Sequence, residues 1–582
     1  MPDSAATDLR ALLSAMFEEA VRKIAPGAQA PAIVLERPKQ AGHGDYACAV
    51  ALQLARTLKR PPREIATQLA AALPASPQIE KTEVAGAGFI NLFLTRSFKQ
   101  QAVNRVLAAG AAYGASTAGR RKKIQIEFVS SNPTGPLHVG HGRGAAYGAS
   151  LANLLAAAGF DVYREYYVND AGRQMDILAL STWLRYLELL GEGVQFPPNA
   201  YQGDYVREMA GKLGNVHRDR FLHKNVIGFQ QKQMAETPEA EPYLDALIQH
   251  AKSLLGPHYA AIHAFVLREQ LDDCRDDLKE FGVVFDNWFS EQSLFDQGKV
   301  ERAVGLLEQK GHLETGAGAR WFLSTAFGDE KNRVVQRENG QYTYFASDIA
   351  YHRDKFERGF DRMIDVWGAD HHGYIARVKG AVSALGFDAA RLDIVVVQFA
   401  VLYRNGQKVA MSTRAGEFVT LRELRREVGN DAARLFYVMR KSDQHLDFDL
   451  DLAKSKTNEN PVYYIQYAHA RVCSVLEQWG GDAAGLAAAD TAALDLDQEF
   501  ALLARLMEYS DIVENAARDL APHAIAFYLR ELAGEFHSYY NSTRFLVDEE
   551  NVKRARLALA CAVRQVLANG LALIGVSAPE KM

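Results

Sequence analysis

Residues 122–144 read KKIQIEFVSSNPTGPLHVGHGRG, and the fold follows from how this stretch divides. Ile124, Ile126 and Phe128 recur at period two, the pattern of a strand. Pro133, Gly135 and Pro136 stop it. His138 and His141 then stand three apart and share one face of a helix. Gly140, Gly142 and Gly144 keep side chains from between backbone and ligand. A strand that feeds a helix N-terminus is an anion site, because free N–H groups and the helix dipole point outward. Imidazoles placed there add donors for phosphate oxygens. The stretch therefore reads as a nucleotide site. Glu127 is singled out as well, since a carboxylate in an otherwise apolar strand is costly without a partner.

On the C-terminal side the helix continues through Leu151, Leu154 and Leu155 to Gly159. A second strand, DVYREYYV, follows at once, with Asn169-Asp170 as a helix cap. Strand, helix, strand with short connections predicts a parallel, doubly wound, Rossmann-like sheet. Ligands in such sheets bind at the carboxyl ends of the strands, where Ser130, Ser131 and Asn132 fall. From about Gly191 the text turns helical and polar, so residues of about 191–300 are expected as an insertion. Strands are expected to resume with RWFLS, RVVQR and YTYFASDIA, then at Met363–Trp367 and Asp393–Phe399, followed by the polar loop RNGQKVAMSTRAGEF. Tyr344 and Asp348, four apart, could also share a helical face. The whole span 120–455 is one α/β domain carrying the nucleotide site on this reading.

On the N-terminal side, residues 1–112 read as a separate α+β domain. It has helices over 8–24, from Ala47 to Leu58 and through Ile65, Leu69 and Leu73, then a strand from Gly86 to Leu94. Ala108–Gly119 reads as a linker. From residue 456 to 582 every segment is amphipathic helix, an all-helical bundle.

At 582 residues the chain exceeds one core, which fits three domains. No apolar run reaches the ~18–20 residues of a membrane span. The opening MPDSAATDLR lacks the basic and apolar segments of a signal peptide. Cys48, Cys274, Cys473 and Cys561 lie far apart, which argues against disulfides and zinc and for a cytoplasmic location. With a net charge of −5, RNA binding would need local patches: Arg120 to Lys123, Arg422 with Arg425 and Arg426, or Lys454 with Lys456. Two clusters suggest metals. HVGH has too short a spacing for a metalloprotease helix, and ADHHG lacks the upstream carboxylate pair of a metal phosphoesterase.

Together these motifs resemble the class I arginine–tRNA ligases of bacteria. SSNPTGPLHVGHGRGAAYG resembles their His-x-Gly-His signature; YVNDAGRQ, VWGADHHGY, the stretch from Gly416 to Val472 and the closing LANGLALIGVSAPEKM resemble family text. The resemblance implies that arginine and ATP form arginyl-adenylate and pyrophosphate, and that the arginyl group passes to tRNA(Arg). It implies ATP contacts at His138, Gly140, His141, Gly142, Met411 and Ser412. It implies arginine contacts at Glu127 and Asn132, for the α-amino group in particular, at Ser130, and at Tyr344 and Asp348 for the guanidinium. His371 or His372 joins them, and His372 is taken as the pocket candidate. The family's Lys-Met-Ser-Lys loop aligns with Ala410 to Thr413, so both lysines are missing; Arg414 first and Lys408 second could supply the cation. The N-terminal domain would contact the tRNA elbow and the C-terminal bundle the anticodon, with Tyr463, Tyr464 and Tyr467 either stacking on bases or packing between helices. Mg²⁺ would arrive with ATP, activation would require bound tRNA, and the protein would be a cytoplasmic monomer with no membrane partner. A small-molecule nucleotidylyltransferase and a non-catalytic RNA-binding paralogue are the competing readings.

Overall fold

The computed structural model describes residues 9–27, 31–38, 41–237, 239–409 and 419–582; Met411, Ser412 and Arg414 lie outside the described residues. Its centre is a five-stranded parallel sheet. The strands are β1 (Lys123–Glu127), β2 (Asp161–Val168), β3 (Asn287–Ser290), β4 (Arg362–Gly368) and β5 (Leu392–Val397), in spatial order β5-β4-β1-β2-β3. Every neighbouring pair runs parallel. The quoted stretch supplies the middle strand, β1, and helix α1 (Val139–Ala157). Ile124 and Ile126 are fully buried on one face, and Gln125 is equally buried on the other. A strand covered on both sides is what a parallel sheet requires.

Several expectations are corrected. YTYFASDIA is not a strand: α2 spans Tyr344–Glu357. Its buried Phe345, Ala346, Ile349 and Ala350 recur at helical spacing, and this outweighs the alternation at its start. RWFLS and RVVQR are strands, but they pair with Leu313–Gly316 in a separate antiparallel sheet. The helical insertion stops at Glu280, and Asn287–Ser290 is the edge strand β3. The insertion packs its own core around Trp183 and Phe221. Asp170 caps a helix, though not the next one. Its carboxylate accepts from the Gln292 backbone N–H at 2.8 Å and the Ser290 hydroxyl at 2.6 Å, at the start of Gln292–Asp296.

The N-terminal unit has a four-stranded antiparallel sheet, and Tyr46–Cys48 in it is a strand where helix was expected. Four long helices, Pro461–Trp479, Asp497–Arg518, His523–Ser542 and Glu550–Leu573, make the C-terminal bundle. Glu550–Leu573 is long and apolar enough to cross a membrane by length and composition, against the expectation that no such run exists. Here Leu557, Leu559, Val563, Val566 and Leu567 are buried in the bundle. Between sheet and bundle the apolar core is continuous, from Phe128 and Leu151 through Tyr509 to Leu567. Helix α1 is tied to the bundle directly. The Tyr147 hydroxyl donates to the Leu520 carbonyl at 2.5 Å and the Asn153 amide to the Leu573 carbonyl at 3.1 Å.

Candidate active site

The carboxyl ends of β1, β2, β4 and the edge strand β3 open onto a cavity of about 540 Å³. Its floor explains Glu127. The sheet register sets Asp365, Glu127 and Glu165 side by side on β4, β1 and β2. Three buried carboxylates in a row would repel one another, and the cations that offset them come from α2 and its C-terminal end. The Lys355 ammonium, fully buried, donates to Glu127 at 2.5 Å and to Asp365 at 2.7 Å. The Arg358 guanidinium grips both oxygens of Glu165, at 2.6 and 2.7 Å. Burial alone would raise the Asp365 carboxyl, but Lys355 and His352 hold it at about 2. Burial is the dominant influence on Glu127 and pushes it up, although Lys355 opposes the shift.

The chain turns sharply after β1. Val129 and Ser130 both take the left-handed conformation, φ 69° and 39°. This costs about 1–2 kcal/mol per residue, and strain of this kind collects at ligand sites. Three contacts hold the turn. The Ser130 hydroxyl donates to Glu127 at 2.9 Å and accepts from the Tyr167 backbone at 3.0 Å, and Asn169 donates to the Ser130 carbonyl at 3.2 Å.

Across the cavity stand residues from α2, β3 and β4. Asp348 accepts from the Tyr374 hydroxyl, and burial pushes its carboxyl up. Tyr344 is 60% exposed and stands over Gly172, where an added Cβ would meet its hydroxyl at 3.1 Å. Glu291, just beyond β3, is only 3% exposed. One of its oxygens accepts from Ser347 at 2.6 Å; the other, like the nearby Tyr167 hydroxyl, makes no hydrogen bond of normal geometry among the described residues. Burial moves the Glu291 carboxyl to about 7, with Asp348 adding to the shift. Glu127, Ser130, Asn132, Tyr344 and Asp348 thus share one cavity. Of the two adjacent histidines, His371 lines it and His372 does not, which corrects the choice of His372.

The second half of the site is the start of α1. His138 is its N-cap: Nδ1 accepts from the Gly140 N–H at 3.0 Å, while His141 Nδ1 accepts from the His138 N–H at 3.3 Å. The rings stack at 3.7 Å. A ring nitrogen that accepts carries no proton, so both imidazoles are neutral and protonated on Nε2. Burial lowers the pKa of both, that of His141 to about 3. Gly140 is required by this cap, since a Cβ there would lie 2.8 Å from the His138 ring. Gly142 is buried, and a Cβ would collide with Leu421 and Tyr437 at 2.9 Å. That glycine serves packing. Lys408 is exposed on the short strand Gln407–Lys408.

Three family models match the chain: the tRNA synthetases class I (R) catalytic domain over residues 102–188 and 266–459, the arginyl tRNA synthetase N-terminal domain over 11–94, and the DALR anticodon binding domain over 465–582. The arginine–tRNA ligase of Nitrosospira multiformis is 67% identical over 94% of each chain. The chain belongs to the arginine–tRNA ligase family. The ligase of Azoarcus is 64% identical over 99% of this chain and 100% of that one. The solved arginyl-tRNA synthetase of Thermus thermophilus shares the fold, with a TM-score of 0.74, 23% identity and coverage of 99% of this chain and 100% of that one.

In this arginine–tRNA ligase fold, the sequence reading missed Glu291, Tyr167, His352, Lys355 and Tyr374. Glu291 stands just beyond the end of β3, a placement that marks ligand residues in open α/β sheets, and Tyr374 closes the 3-10 turn Ala369–Tyr374 that follows β4. Glu291 was hidden because β3 was read as part of the insertion. Lys355 lies seven residues after Asp348 on the same face of α2, a spacing visible once YTYFASDIA is read as helix.

Proposed function

We propose that the chain attaches L-arginine to tRNA(Arg) in two steps, through arginyl-adenylate. The observation that carries this reading is a cavity walled by three carboxylates, the buried Glu127 and Glu291 and the half-buried Asp348, at the same sheet edge as a histidine-capped helix start. Arginine has two cationic groups. A planar guanidinium suits bidentate carboxylates, so Asp348 and Glu291, with Tyr344, hold that end. Glu127, Ser130 and Asn132 hold the α-amino group, with Lys355 fixing the Glu127 carboxylate from behind. A neutral analogue would leave the second Glu291 oxygen buried and without a partner, which is a strong basis for rejecting it.

The arginine carboxylate attacks the α-phosphorus of ATP and pyrophosphate leaves. The Nε2–H groups of His138 and His141 donate to phosphate oxygens, neutral at working pH and already oriented by their Nδ1 bonds, which is preorganised charge stabilisation. Gly140 leaves the backbone open to the nucleotide. Arg414, with Lys408 second, supplies the cation that faces departing pyrophosphate beside Met411 and Ser412. Mg²⁺ enters with the triphosphate as part of the substrate. The 1–112 unit contacts the tRNA elbow, the 456–582 bundle reads the anticodon, and the enzyme works as a cytoplasmic monomer that needs bound tRNA for activation. ATP–pyrophosphate exchange with and without arginine and tRNA(Arg) tests the reading. Absence of arginine-dependent exchange with cognate tRNA present would overturn it.

A further inference from the structure

Phe399 is among the few large apolar side chains left exposed, at 47%, and it lies just past the carboxyl end of β5. Its ring is wedged between two glycines of the site. A Cβ built on Gly140 would touch its Cδ1 at 3.8 Å, and one on Gly368, the last residue of β4, would touch its Cζ at 4.0 Å. An ordinary exposed phenylalanine would be free to move, but this one is mounted on fixed backbone. The Gln398 N–H donates to the Ser442 carbonyl at 2.8 Å, and the Gln398 carbonyl accepts from Arg143 at 2.7 Å. Arg143 is 1% exposed and spends its other donors on the Gln444 and Lys441 carbonyls at 2.8 and 2.9 Å. It belongs to α1, so the helix that presents His138 and His141 also locks the residue beside Phe399.

We propose that Phe399 is the base platform of the ATP site, its free ring face stacking on the adenine, and that it determines purine-nucleotide affinity. The inference rests on the ATP-dependent reading above. It follows from position: phosphates at the α1 histidines leave the base to lie over the glycine gap between α1 and β4, and Phe399 fills one side of that gap. Aromatic rings stack on bases through their π faces, with no hydrogen-bonding requirement.

The test uses the full chain. Phe399→Ala and Phe399→Leu should raise KM for ATP about ten- to hundredfold, with KM for arginine unchanged, while Phe399→Tyr retains wild-type values. A purely structural role would move both KM values together. Phe399→Trp adds a direct readout: its emission should be quenched saturably by ATP and by adenosine, and not by tripolyphosphate. An unchanged KM for ATP in both the Ala and Leu variants, or quenching by tripolyphosphate equal to that by ATP, would overturn the platform. The two readings fail separately. Loss of arginine-dependent exchange in the wild type refutes the ligase assignment, whereas ATP quenching of the Trp variant needs no arginine and still decides the platform.

Discussion

Replacing Glu291 by glutamine should make the protein more stable and a poorer ligase, and the size of the first effect can be worked out. Burial, offset in part by the Ser347 hydroxyl and reinforced by Asp348 and Asp170, moves this carboxyl from 4.5 to about 7. At 1.36 kcal/mol per unit, that displacement is about 3 kcal/mol. The folded state holds the proton more tightly than the unfolded chain does. Its contribution to stability is therefore fully present below about pH 4.5 and lost as pH rises through about 7. Glutamine keeps the volume and the contact to Ser347 but never ionises. The variant's advantage over wild type should grow between about pH 5 and pH 8 and level off near 3 kcal/mol. Over the same range wild-type KM for arginine should fall as the carboxylate forms, and the variant should lose that dependence and bind arginine more weakly. Denaturant unfolding of both proteins across the pH series, paired with arginine KM, measures this. Parallel unfolding curves at both ends of the range, with equal KM values, would refute the idea that Glu291 stores unfavourable charge for a cationic substrate.

Lys355→Met should cost about 3–5 kcal/mol, the penalty for stranding buried carboxylates, read as loss of soluble, cooperatively unfolding protein; adding Glu127→Gln should recover part of it. Gly140→Ala drives a methyl to 2.8 Å from the His138 ring; exchange should fall at least about tenfold, as when a transition-state donor is displaced, with circular dichroism unchanged. Because burial keeps both α1 imidazoles neutral, kcat/KM for ATP should show no histidine inflection near the ordinary value of 6.5; an inflection there that disappears in His141→Asn would contradict the tautomers assigned. Arg414→Ala should slow exchange while leaving arginine affinity intact, and normal exchange would remove it from the mechanism.

How much was legible in the sequence differs by element. The β1–α1 stretch was readable because local signals agree: alternation, a proline stop, then glycines and histidines at helical spacing. Glu127 was rightly suspect, since burial of a lone carboxylate demands a partner, but the partner came from 228 residues away in sequence. No local pattern specifies which strands are neighbours, so Asp365 and Glu165 beside Glu127 could not be foreseen. Glu291 was lost because Asn287–Ser290 is a four-residue strand, too short for periodicity to separate from the polar helices before it. YTYFASDIA was misread for the opposite reason: its aromatic alternation signals a strand until Phe345, Ile349 and Ala350 are placed on one helical face. Gly142 shows the same limit on a smaller scale. In sequence it cannot be told from Gly140, and only the packing of Leu421 and Tyr437 against it separates the two jobs.

The joint between α1 and the bundle has a consequence for how the enzyme is made. Asn153 meets the carbonyl of Leu573 across 420 residues of chain, and Tyr147 meets that of Leu520 across 373. During synthesis the sheet strands can emerge and pair while the rear of α1 still lacks its cover, with Leu151 and Leu155 facing water. The rear contacts of α1 can therefore form only after the C-terminal helices have been translated. Large proteins usually mature one domain after another from the N-terminus. Here the apolar core is continuous across two of the three matched segments, the catalytic and the anticodon-binding one.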